Sequence, residues 1–148
     1  NYLAISYGGY RKSTRGIQPT VAEVKEDLKI LHAMKIKILR TYNVQLAQAE
    51  TILKAIHELK SENPSFEMYV MLGAWIDCKN AWTNQPLNHQ LESDQNEGEI
   101  ARAVSLANKY PSIVKIIAVA SVMGIMLEAP NNILIPIQPH TDLPKWTL

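Results

Sequence analysis

Cysteine is almost absent from this chain. Cys78 stands alone, which excludes an internal disulfide and any metal site assembled from several cysteines. An excess of one charge sign is missing as well. The formal net charge is +1, so there is no basic footprint for nucleic acid and no field that would draw the protein to an anionic membrane. No apolar run is long enough to span a bilayer. The longest, from Ile116 through Leu127, is short and interrupted by Ser121 and Gly124. Gly8-Gly9 lacks the G-x-G-x-x-G or Walker spacing that cradles phosphates, and nothing else in the sequence implies a cofactor. Asn1 opens directly into an apolar run with no leader pattern before it, which leaves the compartment open.

What is present is ordinary for a soluble domain. The 148 residues are 47% hydrophobic and 20% charged, enough for one domain with a sizeable core. Short apolar runs alternate with helical patterns. Leu3–Tyr7 reads as a strand closed by Gly8-Gly9. Thr20 and Glu23 have capping-box spacing ahead of Val21, Val24, Leu28, Leu31 and Met34, one face of an amphipathic helix. A β-rich run covers 36–41. Leu46, Ala49, Ile52, Leu53, Ile56 and Leu59 trace a second helix, stopped by Asn63-Pro64. FEMYVMLGAWI (66–76) is a third strand. Asn96 and Glu99 begin a third helix with Ile100, Ala103, Val104 and Ala107 inward, and 113–119 is a fourth strand. The β-α-β-α-β-α-β order predicts an α/β fold of βαβ units with parallel strands. Residues 1–119 form this unit. In 120–148 only Glu128, Asp142 and Lys145 are charged, and Pro130, Pro136, Pro139 and Pro144 interrupt any regular element. That composition predicts a Pro-rich tail packed on the domain.

In parallel α/β folds, ligands meet the loops at the C-terminal strand ends. Those ends offer Tyr7, then Arg40-Thr41-Tyr42-Asn43, then Trp75-Ile76-Asp77. A long loop follows, CKNAWTNQPLNHQLESDQN, with Trp82 inside it. Aromatic faces mixed with amides and carboxylates suit sugars, which present apolar C–H faces and a rim of hydroxyls. The same residues have plainer readings: Arg40 as the partner of a neighbouring carboxylate, Trp75 as core. Other chemistries find less support. His32 and His57 fall within helices. Asp77, Cys78, His89 and Glu92 have no recognised metal-ligand spacing, and no His is specified to activate a Cys78 thiol.

The blocks ISYGGYR, PTVAEVKEDLKILHAMKIKILRTYN, MYVMLGAWI and NEGEIARAVSLANKYPSIVKIIAV resemble, in order and spacing, the first half of glycoside hydrolase family 17. RTYN, LGAWI and EIARAVSLANKYP are the most specific. The resemblance covers about residues 3–119 and implies roughly half of a (β/α)8 barrel, a fold that typically needs about 250 residues. It implies β-1,3-glucan hydrolysis or glucan transfer with retention. That chemistry needs two carboxyl groups about 5 Å apart, one to protonate the leaving oxygen and one to attack. The family's acid/base glutamate closes a Gly-Asn-Glu after strand four. Here those positions are Ala120, Ser121 and Val122, and valine has no proton to donate. Glu128 lies too far along an irregular segment to stand in. The nucleophile belongs to strand seven, outside these residues.

Three accounts fit: a truncated or diverged member, a half barrel completed by a second copy, or an altered sequence after Val119. The expectation is a glucanase-like protein that is inactive alone, with no catalytic residue of its own. Its glucan-binding residues are expected to be Tyr7, Arg40, Tyr42, Trp75, Asp77 and Trp82. A homodimer that completes a barrel is the further expectation.

Overall fold

A computed structural model describes residues 2–121 of the chain. Val122 and nearly all of the expected 120–148 tail therefore lie outside the described residues. The elements are β1 (Leu3–Ser6), α1 (Val21–Ala33), β2 (Ile36–Arg40), α2 (Gln48–Glu62), β3 (Tyr69–Ile76), β4 (Cys78–Lys79), β5 (Asn88–Glu92), α3 (Glu99–Lys109) and β6 (Val114–Ser121), with a 3-10 turn at Asp94–Asn96 before α3.

Local chemistry explains most boundaries. The capping box is formed: Glu23 N donates to Thr20 Oγ1 at 3.2 Å, and Thr20 N donates to Glu23 Oε2 at 2.8 Å. Two orphan N–H groups at the helix start are satisfied this way. After α1, Lys35 takes φ 65, and its N–H returns to His32 O at 2.9 Å. That left-handed residue turns the chain directly into β2. Asn63 adopts an extended conformation as the C-cap of α2, as a residue before proline must. The start of α2 is less well marked. Ala47 caps it without a side-chain bond, and the helix begins two residues later than the apolar spacing predicts.

Four strands form one sheet in the order β1-β2-β3-β6, every pair parallel. Each strand follows its predecessor in space as in sequence, so among the described residues the strand order never reverses. The helices then lie on the same side of the sheet. This is the arrangement of a barrel segment rather than of a doubly wound sheet.

The two faces differ accordingly. Leu39, Val70, Leu72, Ala74, Ile76, Ile117 and Val119 are buried under the helices, against Val24, Leu28, Ile52, Leu53, Ile56 and Ala103. On the alternate positions Ile38, Arg40, Tyr69, Met71, Trp75 and Ile116 are only half-buried. A parallel sheet is ordinarily covered on both faces. The first strand is barer still: Leu3 is 56% and Ile5 39% exposed.

Two departures concern the predicted elements. Met34 and Val104, expected to face inward, are exposed. Met34 caps the C-terminus of α1, past the last helical turn, and Val104 lies on the flank of α3 beside the buried Ala103 and Ala107. The loop after β3 is not irregular throughout: β4 and β5 pair antiparallel within it. The pattern of Asn88–Glu92 is polar, because that small hairpin lies on the surface with little core of its own, so no alternation marked it.

Candidate glycan-binding cleft

The loops at the C-terminal ends of β2 and β3 are held together by polar side chains turned inward. Thr41, fully buried, accepts the Gly73 N–H through Oγ1 at 3.0 Å. A Cβ at Gly73 would fall 2.4 Å from Thr41 O and 2.6 Å from Tyr42 O, so only glycine lets the β2–α2 loop cross β3 this closely. Glu99 completes the junction. Its carboxylate is fully buried. Oε1 accepts the N–H of Val44 at 2.9 Å and of Trp75 at 3.0 Å, while Oε2 accepts from Arg102 Nη2 at 3.1 Å. A buried charge persists only when paired and hydrogen-bonded, and Glu99 has both. It ties the first turn of α3 to the β2–α2 loop and to the end of β3.

Asn96 does for Asp77 what a neighbouring strand would do. Its Oδ1 accepts Asp77 N–H at 2.8 Å and its Nδ2 donates to Asp77 O at 2.8 Å. The Asp77 side chain is thereby aimed at the mouth of the sheet. It is 5% exposed. Oδ2 accepts two indole N–H groups, from Trp75 at 2.6 Å and from Trp82 at 2.8 Å. Oδ1 is buried and has no hydrogen-bond partner among the described residues. The two rings stand 6.4 Å apart at 46°.

Trp82 is carried by the turn between β4 and β5, where Asn80 (φ 68) and Trp82 (φ 63) both take left-handed backbone. Asn80 Nδ2 donates to Pro86 O at 2.8 Å, bracing the turn. Left-handed backbone is unfavourable for a bulky residue. Yet the ring it presents is 81% exposed and is tethered to Asp77 through its N–H. Tyr42, Asn43, Trp75, Asp77 and Trp82, with Arg15, Gln45 and Gln95, line a cleft of about 560 Å³.

Of the six residues expected to bind sugar, four line this cleft: Tyr42, Trp75, Asp77 and Trp82. Trp75 is half-buried and on the open face of the sheet, not in the core. Arg40 lies on the same open face, one position below Thr41, and forms no ion pair among the described residues. Tyr7 points elsewhere. Its hydroxyl donates to Asp27 Oδ2 on α1 at 2.6 Å, and Arg11 holds both oxygens of that carboxylate at 2.8 Å each. The Arg11 hydrogen bonds hold the Asp27 carboxyl below its usual range. Burial, and then the bond to Asp27, push the Tyr7 phenol well above its usual value.

Sequence reasoning missed Asn96 and Glu99 as cleft supports, placing both only at a helix start. It also missed Gln48, whose Nε2 donates to Tyr7 O and Gly8 O at 3.1 and 2.9 Å. His32 stacks on Phe66 at 4.6 Å, and His57 packs edge-on against Tyr110 at 6.1 Å. Among the described residues, no three His, Cys, Asp or Glu side chains gather as a metal site would require, and no helix is long and apolar enough to cross a membrane.

The sheet and its cleft define the class: an α/β chain forming part of a (β/α)8-type barrel, with an aromatic and polar pocket at the C-terminal strand ends. A solved structure gives that class a particular likeness. The crystal structure of an endo-laminarinase from Formosa Hel1_33_131 matches with a TM-score of 0.77 and 68% sequence identity, over 80% of this chain and 30% of that one. The chain thus spans about 30% of the length of that protein. No family model matches the chain, and no curated protein does.

Proposed function

We propose that this chain is the N-terminal part of a β-1,3-glucan-acting barrel of the glycoside hydrolase family 17 type, and that its cleft holds glucan. The observation that carries the reading is the 68% identity to an endo-laminarinase over 80% of this chain. Tyr42, Trp75 and Trp82 offer ring surface to the C–H faces of sugars. Asp77, Asn43 and Gln95 offer hydrogen-bonding groups to the hydroxyls. Arg40 lies lower on the open face, and Tyr7 supports the site from behind by fixing the β1–α1 loop on α1.

By itself the polypeptide binds glucan without turning it over. The position that the resemblance assigns to the acid/base is Val122, which has no proton to donate. A retaining mechanism cannot run without both carboxyl groups. Two measurements test this. Laminari-oligosaccharides are expected to quench tryptophan fluorescence on titration, and laminarin is expected to yield no reducing ends above a heat-treated control. A flat titration at millimolar sugar contradicts the binding, and sustained release of reducing ends contradicts the inactivity.

One observation favours a second reading, self-assembly into a closed barrel. β1 is an edge strand with Leu3 and Ile5 exposed, and unpaired apolar edges invite pairing with another chain. Light scattering on the purified polypeptide is expected to give a dimer mass under this reading, and a stable monomer removes it.

A further inference from the structure

We propose that Asp77 is the positioning residue of a two-indole sugar subsite. One of its oxygens sets the tilt of Trp75 and Trp82, and the other accepts a hydroxyl of the bound saccharide. The inference rests on the glucan-binding reading and assigns the cleft a specific acceptor.

Three features of the structure meet here. First, Asp77 Oδ2 takes both indole N–H groups, at 2.6 and 2.8 Å. A carboxylate accepting two N–H bonds fixes each ring more firmly than packing alone, because charge-assisted bonds are the stronger class. With the N–H edges turned inward, the ring surfaces are left for a ligand. Second, Oδ1 is buried and unpartnered among the described residues. A carboxylate oxygen left so is costly, and a native structure rarely leaves one without a purpose. Third, the chain holds Trp82 on left-handed backbone with the ring 81% exposed. Neither the backbone nor the exposure stabilises the fold, so the arrangement points to use of the ring.

Binding then proceeds as follows. A pyranose face settles on an indole, the exposed Trp82 ring turns slightly, and a sugar hydroxyl donates to Oδ1. No bond is made or broken and no proton changes hands. The 46° between the rings means that neighbouring sugars stacked on both must be turned relative to each other.

Asp77→Asn separates the two roles. The amide oxygen can still accept both indole N–H groups, but an NH2 donor replaces the acceptor Oδ1. Asp77→Leu removes both roles, and Trp82→Phe marks the near-ultraviolet circular dichroism signal that belongs to the ring pair. Calorimetric titration with laminarihexaose is expected to show binding about ten- to a hundredfold weaker in Asp77→Asn, the loss of one hydrogen bond to a charged group. Its ring-pair signal should be kept. Asp77→Leu is expected to lose that signal while keeping the far-ultraviolet spectrum of the parent.

Parent-like affinity in Asp77→Asn overturns the acceptor role. A ring-pair signal that survives Asp77→Leu, or vanishes in Asp77→Asn with affinity intact, overturns the positioning role. If the parent itself binds no laminarihexaose, the glucan reading falls together with the acceptor role, and the dichroism still decides whether Asp77 sets the rings.

Discussion

Two aspartates, Asp27 on α1 and Asp77 just past β3, have opposite surroundings. Asp27 meets Arg11 through both oxygens and Tyr7 through one. Its charge has a cation, its lone pairs have donors, and its loop is closed. Asp77 meets only two neutral indole N–H groups, both on one oxygen, and its other oxygen is buried without a partner among the described residues. The first arrangement is complete within the protein. The second lacks a donor and sits in a cleft beside a tryptophan whose ring is mostly exposed. Two aspartates, one on α1 and one just past the end of β3, thus divide into a brace and a candidate binding group. Satisfaction of the carboxylate separates them.

The largest expected effect breaks the support on which the Asp77 side depends. Glu99→Ala leaves the Val44 and Trp75 N–H groups without their acceptor in a buried site, and should cost about 3 kcal/mol or more. Urea unfolding reads this as a lower midpoint with an unchanged slope. Gly73→Ala should be nearly as severe. The backbone oxygens of Thr41 and Tyr42 that a methyl would strike cannot move without separating the β2–α2 loop from β3, and a loss of about 2 kcal/mol or more is expected.

Trp82→Ala sharpens the contrast from the other direction. The ring is so exposed that stability should change by less than about 1 kcal/mol, while laminari-oligosaccharide binding should fall at least tenfold. A loss of stability without loss of binding would make Trp82 a structural residue.

The smallest effects belong to the brace. Tyr7→Phe removes one hydrogen bond to a paired carboxylate and should cost about 1 kcal/mol, leaving glucan affinity unchanged. The pH dependence of Asp27 follows from its direction of shift. Its carboxyl is held below the usual value in the folded state, chiefly by hydrogen bonds from Arg11. Its contribution is therefore full above the unfolded value of about 4 and is lost as pH falls through the lower folded value. The stability gap between the parent and Asp27→Asn should be flat from neutral pH to about pH 4 and narrow below it. A gap that widens on acidification contradicts the assignment.

Much of the fold could be read from the chain. The apolar spacings of α1, α2 and α3 and the Thr20–Glu23 box mark helices that face one side of a parallel sheet, and they do so. The site was only partly legible. Trp75 shares strand parity with Tyr69, Met71 and Gly73, which assigns it to the open face, although its apolar neighbours suggested core. Tyr7 stands at a strand end as a binding residue would. Its orientation is decided by Asp27, 20 residues further on, and no local pattern carries that information. Asn96 and Glu99 have spacing suited to a helix start. Their use as acceptors for backbone N–H groups depends on which loops fold over them. The β4–β5 hairpin is polar along its length, so periodicity could not find it, and with it went the reason for the exposure of Trp82.

The central claim is that the cleft around Asp77 is built to receive glucan, whereas the cluster around Asp27 is built to hold the fold. Parallel titrations of the parent, Asp77→Asn and Asp27→Asn with laminari-oligosaccharides, followed by tryptophan fluorescence, test it most directly. Saturable quenching in the parent and in Asp27→Asn, with the midpoint at least tenfold higher in Asp77→Asn, is the predicted result. Equal midpoints in all three, or a shift confined to Asp27→Asn, would contradict it.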